Sequence, residues 1–413
     1  MLDIKFIREN LEKVREGILK KGSKVDVQKI LSLDKERREL VKKIDDLRSR
    51  QKGFSGKSDE AAQVKIAIQE LETKLKHIEA KFSKAMYELP NLPLPDVPFG
   101  KDERDNVVLR EVGEKRNFGW EPRNYLELAE SLDLIDVGRA AKVSGSRFGY
   151  LKREAALLEF ALVNFALETA VNDGFIPIVP PVMIKPEAMR GMGYIDTDSD
   201  VAERYFFEKD KLFLVGTSEQ AIGPMHSDEI FSEDELPKRY IGFSSCFREE
   251  AGSYGKDTKG ILRVHQFDKV EMFSFTRPED SKKEHELILG LEEKLMQLLK
   301  IPYRVVALST GDLSRPSAAT YDIESFMPGQ GEYRETHSSS NCSDFQARRL
   351  NIKYKLKTQN AKFKTDFVHT LNGTAFAIGR TIIAILENYQ EKDGFLKIPE
   401  VLQKYVGFDV IKR

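Results

Sequence analysis

Between Cys246 and Phe273 the chain carries side chains suited to a nucleotide and a small zwitterion. Residues 240–247 are apolar and aromatic and lead into Arg248. Residues 250–260 hold three glycines and alternating charge, which predicts a mobile, exposed loop. Residues 261–275 return with a period-two alternation, as a strand does. On that arm Arg263, Phe267 and Glu271 stand four apart, so they are expected on one sheet face. Guanidinium groups grip phosphate in a fork. A phenyl ring can stack on a base, and a carboxylate accepts from an amine or hydroxyl. The alternative is a surface hairpin with ordinary charges.

Such a face needs a large body to hold it, and 413 residues have room for two or three domains. A formal net charge of -1 excludes a uniformly basic surface, so any nucleic-acid contact must be local. Cys246 and Cys342 form neither a disulfide framework nor a zinc pattern and are expected to be buried small hydrophobes. No zinc is expected. The first residues lack an apolar signal core and no long apolar run follows, so a soluble, cytoplasmic protein is the expectation.

The leader up to residue 25 predicts one amphipathic helix with Ile4, Ile7, Leu11 and Val14 on one side. Over residues 26–52, Leu33, Leu40 and Leu47 recur every seven, with Ile30, Arg37 and Ile44 on the second seam. After a Gly/Ser turn at 53–58, Ala61, Ile68, Leu75, Phe82 and Leu89 form a second row beside Val64, Leu71, Ile78 and Ala85. The pattern predicts an antiparallel coiled-coil hairpin about 40 Å long. Dense prolines at 90–95 end it. Beyond them, helices are predicted at 152–171, 281–299 and 377–389, the last introduced by Asn372-Gly373-Thr374. Strand runs at 205–207, 212–215, 303–308 and 320–326 interleave with them. Hairpins without regular βαβ spacing predict an α+β fold, an antiparallel sheet flanked by helices. Neither a P-loop nor a dinucleotide fingerprint is present. Lys353, Lys355, Lys357, Lys362 and Lys364 alternate as on an exposed strand edge, or as a strip facing RNA.

Taken together, these segments resemble the seryl-tRNA synthetases, class II aminoacyl-tRNA synthetases, in their bacterial form. Residues 174–181 resemble motif 1, Thr217-Ser218-Glu219 the serine loop, 246–273 motif 2, and Asn372-Gly373-Thr374 through Arg380 motif 3. Tyr333-Arg334-Glu335 and residues 340–349 resemble a family-specific strand and turn. The resemblance implies an N-terminal tRNA-binding domain over 1–100, with its hairpin at about 26–90, and a class II catalytic domain over 101–413. In that domain motif 1 would span 157–181, motif 2 240–275 and motif 3 371–390.

It also implies ATP-dependent activation of L-serine, then transfer to the 3′ end of serine tRNA, and leaves open whether selenocysteine tRNA is a further acceptor. Arg248, Glu271 and Arg380 would be catalytic. Thr217, Ser218, Glu219, Arg248, Glu271 and Thr374 would hold serine. ATP would meet Arg248, Glu249, Glu250, Arg263, Val264, Phe267, Glu335, Thr336, His337, Ser338 and Arg380. Glu335 and Ser338 would hold Mg²⁺. The hairpin would take the tRNA variable arm through Arg38, Lys42, Arg48, Arg50, Lys52 and Lys57, although a solvated coiled-coil face accounts for the same charges. A homodimer through motif 1 is implied. The segment at 313–320 lacks the Gly-rich, lysine-ended form of many bacterial members, and Thr336-His337 replaces a small apolar–Ser pair, so His337 could titrate near phosphate. An amino acid:carrier-protein ligase would not need the hairpin. A catalytically silent RNA-binding paralogue would be expected to lose Arg248, Glu271 or Arg380.

Overall fold

A computed structural model describes residues 1–52, 59–250, 259–356 and 364–413. They form two compact units, Met1–Leu92 and Pro93–Arg413.

In the first unit, two long helices pair, α3 (Val27–Lys52) and α4 (Asp59–Glu88). Every apolar heptad position named above is buried or half-buried, as a hydrophobic seam requires. The turn at 53–58 lies outside the described residues. The leader is two helices rather than one, α1 (Ile4–Glu9) and α2 (Leu11–Lys20). Asn10 breaks them with a non-helical φ of -132° and caps α1 by donating its N–H to the Phe6 carbonyl. The break lets Ile7, Val14 and Ile18 all pack on Val27, Ile30, Met86 and Leu89. Asp34 is buried in α3 and is held by Arg8, Arg37 and Arg38 at 3.5, 3.1 and 3.0 Å. A lone buried carboxylate would be costly, and this arrangement surrounds it with cations.

The second unit is built on an eight-stranded sheet. In chain order its strands are β1 (Val107–Val112), β2 (Ile176–Ile178), β3 (Lys238–Phe247), β4 (Gln266–Thr276), β5 (Tyr303–Ala307), β6 (Ala319–Met327), β7 (Glu332–Asn341) and β8 (His369–Ala377). The spatial order is β1-β5-β6-β7-β8-β4-β3-β2. All neighbours are antiparallel except β2 and β3. Helices α5 (Glu154–Val171), α6 (Ser281–Leu298) and α7 (Ile378–Asn388) bury their apolar sides in one cluster with Val270, Met272, Leu371 and Phe376. Cys246 and Cys342 are both buried and neither is in a disulfide.

Three further sequence expectations are corrected. Asn372-Gly373-Thr374 does not introduce the last helix but lies inside β8, and α7 starts at Ile378. The glycine is there for packing: a Cβ on Gly373 would stand 2.2 Å from the Ile288 methyl of α6. The second arm of the central hairpin begins at Gln266, so Arg263 precedes the strand. Lys353 and Lys355 lie on a strand, Lys353–Leu356, that is interior to a small sheet between Lys364–Phe367 and Ile230–Phe231. Lys357 and Lys362 fall outside the described residues.

Candidate active site

On the sheet face away from α6, side chains from β4, β7, β8 and the start of α7 line a cavity of about 530 Å³. Phe267, Lys269 and Glu271 reach it by the period-two rule of β4. Asn372 and Thr374 reach it from β8, on the far side of Gly373 from α6. Glu335 and Ser338 both reach it from β7 although they are three apart. A regular strand would send them to opposite faces. A bulge does the rest: Ile323 pairs with His337 but Glu324 pairs with Glu335, which leaves Thr336 as an extra residue.

The cavity has an acidic end. Glu219 and Glu271 are buried there at 3% and 1% exposure. Lys269 donates to Glu271 at 2.5 Å and the Thr374 hydroxyl donates to the same oxygen at 3.2 Å. The Tyr194 hydroxyl donates to Glu219. Burial first, and Glu271 second, push the Glu219 carboxyl above the usual range, against the opposing pull of Lys269, Tyr194 and Arg248. Two carboxyls face one lysine. The buried Thr217 Oγ1 and Glu219 Oε2 have no hydrogen-bond partner among the described residues. Such groups are costly unless something polar meets them.

The rest of the cavity is cationic and aromatic. Arg248 lies over the Phe267 ring, 5.4 Å from its centroid, and donates from Nε to the Gly216 carbonyl at 3.3 Å. Arg263 pairs with Glu250 at 3.0 Å. Arg380, from the first turn of α7, reaches the Glu335 carboxylate at 3.2 Å and its carbonyl at 3.1 Å. Partial burial raises the Glu335 carboxyl, whose side chain is still 48% exposed, but Arg380, Arg248 and Lys269 together outweigh it and hold it below the usual range. It therefore stays ionised.

The family model for the tRNA synthetase class II core domain (G, H, P, S and T) matches residues 205–389, and that for the seryl-tRNA synthetase N-terminal domain matches residues 1–93. The serine--tRNA ligase of Thermodesulfovibrio yellowstonii is 44% identical over 429 residues, covering 100% of both chains. The chain belongs to the seryl-tRNA synthetase family. Among solved structures, the seryl-tRNA synthetase of Pyrococcus horikoshii complexed with ATP superposes with a TM-score of 0.92 at 42% identity, covering 100% of this chain and 99% of the other. The Naegleria fowleri cytoplasmic serine-tRNA ligase in complex with AMP gives 0.90 at 33% identity, again over 100% and 99%. The chain is accordingly an aminoacyl-tRNA synthetase, a serine–tRNA ligase. The class II antiparallel sheet expected from the sequence is the fold observed.

Of the residues expected from the seryl-tRNA synthetase pattern, Thr217, Glu219, Arg248, Glu250, Arg263, Val264, Phe267, Glu271, Glu335, Thr336, Ser338, Thr374 and Arg380 share the one cavity. Three do not line it. Ser218 is fully buried and donates to the Gly242 carbonyl at 3.4 Å. Glu249 turns toward Tyr205. His337 points to the helix side of the sheet, where its ring meets Phe376 at 5.7 Å. Burial lowers its pKa to about 3, so it is neutral at physiological pH and does not titrate beside phosphate. Of the residues 251–258, which held most of the expected loop, none is described.

Sequence reasoning missed Lys269, Tyr194 and Arg204, which also line the cavity. The parity that picked out Phe267 and Glu271 names Lys269 as well. Nothing local singles out Tyr194 or Arg204. In the hairpin, Arg38 is bound to Asp34, and Arg48 crosses to Glu72 at 2.7 Å. Lys42, Arg50 and Lys52 are exposed, and Lys57 lies outside the described residues.

Proposed function

We propose that this cavity joins the carboxylate of L-serine to the α-phosphorus of ATP, and that the seryl group then passes to the 3′ end of serine tRNA. In the first step a carboxylate oxygen forms a bond to phosphorus while the bond to the β-phosphate breaks and pyrophosphate leaves. In the second, a hydroxyl of the terminal adenosine attacks the acyl carbon and AMP leaves. The serine carboxylate is already ionised at neutral pH, so the first step needs no general base. Positioning and charge neutralisation carry it.

One observation carries the reading: the acidic end sets two carboxyls against one lysine and has two oxygens, on Thr217 and Glu219, without a hydrogen-bond partner among the described residues. That set suits an ammonium and a hydroxyl. A site built to bond a hydroxyl rejects alanine because its polar groups would be stranded. Arg248, Arg263 and Arg380 would take the phosphates, and Phe267 the base. Glu335, ionised, and the Ser338 hydroxyl are hard oxygen donors that would hold Mg²⁺, which neutralises phosphate charge when bound. A carrier-protein ligase is not favoured, because the hairpin is present and matches the family's N-terminal domain.

In this reading the hairpin takes the variable arm of serine tRNA through phosphate contacts. A homodimer forms through motif 1. Support for the dimer comes from the exposed Leu157 and Phe160 of α5 and from Ile176 and Val179 at the sheet edge. A cytoplasmic location follows from the translation role, and no described helix is long and apolar enough to cross a membrane. The test is ATP–pyrophosphate exchange with each of the twenty amino acids, then charging of serine tRNA with and without its variable arm. Exchange driven equally by alanine would overturn the serine assignment.

A further inference from the structure

Arg204 follows the short helix Asp198–Ala202 and lines the cavity beside Arg248. Both guanidiniums crowd Gly216: a Cβ there would meet Arg204 Nη1 at 3.3 Å and Arg248 Nε at 3.5 Å. Arg204 lies over the ring of Tyr194, 5.3 Å from its centroid, and Tyr194 is the residue that holds Glu219. Its only hydrogen bond among the described residues runs from Nη1 to the Glu203 carbonyl at 3.3 Å, and its Nε is buried with no partner there. No carboxylate pairs with it among those residues. The nearby Asp200 is spent on the backbone N–H of Thr197 and on Arg315. Burial and the like charge of Arg248 both work against the Arg204 charge.

Two half-buried cations side by side in the cavity wall, with no acid paired to Arg204 among the described residues, form an arrangement that an anion completes. We infer that Arg204 is a second serine-binding guanidinium, which grips the substrate carboxylate together with Arg248 while Glu219 and Glu271 take the other end of the zwitterion. The inference rests on the serine-activation reading and adds a residue to it. Tyr194 makes the placement specific: its ring packs against Arg204 while its hydroxyl holds Glu219, so one side chain touches both the cationic and the acidic end.

The test uses the full-length enzyme and three variants, R204M, R204K and R204A. Binding of L-serine and of serinamide, which lacks the carboxylate, is measured by calorimetry, with ATP binding and the melting temperature measured alongside. The wild type should prefer serine to serinamide. R204M and R204A should cut that preference by about tenfold or more, the effect of one charge-assisted hydrogen bond, and R204K should restore part of it. ATP affinity should stay within about twofold of wild type. An unchanged serine-to-serinamide ratio in a folded R204M or R204A protein overturns the inference. A rise confined to the KM for tRNA overturns it too, because the anion is then an acceptor-end phosphate. A wild type that activates no serine overturns the serine-activation reading itself. Should the neutral variants not fold, R204K decides alone, since losing the planar fork must still lower the ratio.

Discussion

The hairpin and the cavity use the same charged residue types under opposite rules. Along α3 and α4, cations sit on solvent-facing positions and find acids a turn away or across the pair, as Arg48 finds Glu72 with both side chains about half exposed. Water and salt screen such pairs, and their contribution to stability is small. At the acidic end of the cavity the charges are buried and do not cancel locally, since Glu219 and Glu271 share Lys269, and the half-buried Arg204 and Arg248 share no acid at ion-pair distance among the described residues. Even Asp34, the one buried acid of α3, is fully answered by three arginines. The contrast separates charge that keeps an element in solution from charge that awaits a ligand.

Four experiments would break or sharpen that contrast. Deleting residues 27–89 should reduce charging of serine tRNA to background while leaving serine-dependent pyrophosphate exchange near wild type. Unimpaired charging by the truncated protein would remove the hairpin from the reaction. Glu271→Ala strands buried Lys269, which should cost roughly 3–5 kcal/mol of stability, and it should lower kcat/KM for serine strongly with ATP binding little changed. Pyrophosphate exchange at an unaltered serine KM would refute the assignment.

The third is a pH series on Glu219. Protonation removes a negative charge facing the ammonium, so the serine KM should rise as pH falls from about 8 to about 6. The raised carboxyl starts that loss at a higher pH than an exposed glutamate would show. Glu219→Gln should give a high KM that no longer varies over this range; a wild-type profile in the variant would assign the titration elsewhere. The smallest effect is expected from Arg48→Ala, below about 1 kcal/mol in thermal or denaturant unfolding and fading with added salt. A large loss there would mean that the hairpin charges are not merely solvated.

The heptad rows predicted both long helices to within a residue or two, because an apolar seam is local and repeats. Strand parity placed Phe267 and Glu271 on one face, and would have placed Lys269 with them, for the same local reason. The motif residues were legible only through the resemblance, since nothing in the neighbourhood of Thr217 or Arg380 says that they meet. The tertiary structure decided what local pattern could not. A bulge at Thr336 turned Glu335 and Ser338 to one side and His337 to the other. Packing of Ile288 against Gly373 kept Asn372-Gly373-Thr374 in a strand where their types suggest a turn. Tyr194 and Arg204 became part of the site only when a segment far from β4 in sequence was folded over it. Periodicity survives in the sequence because neighbours along the chain share it. Convergence does not, because the energy of a buried charge depends on which distant groups the fold brings to it.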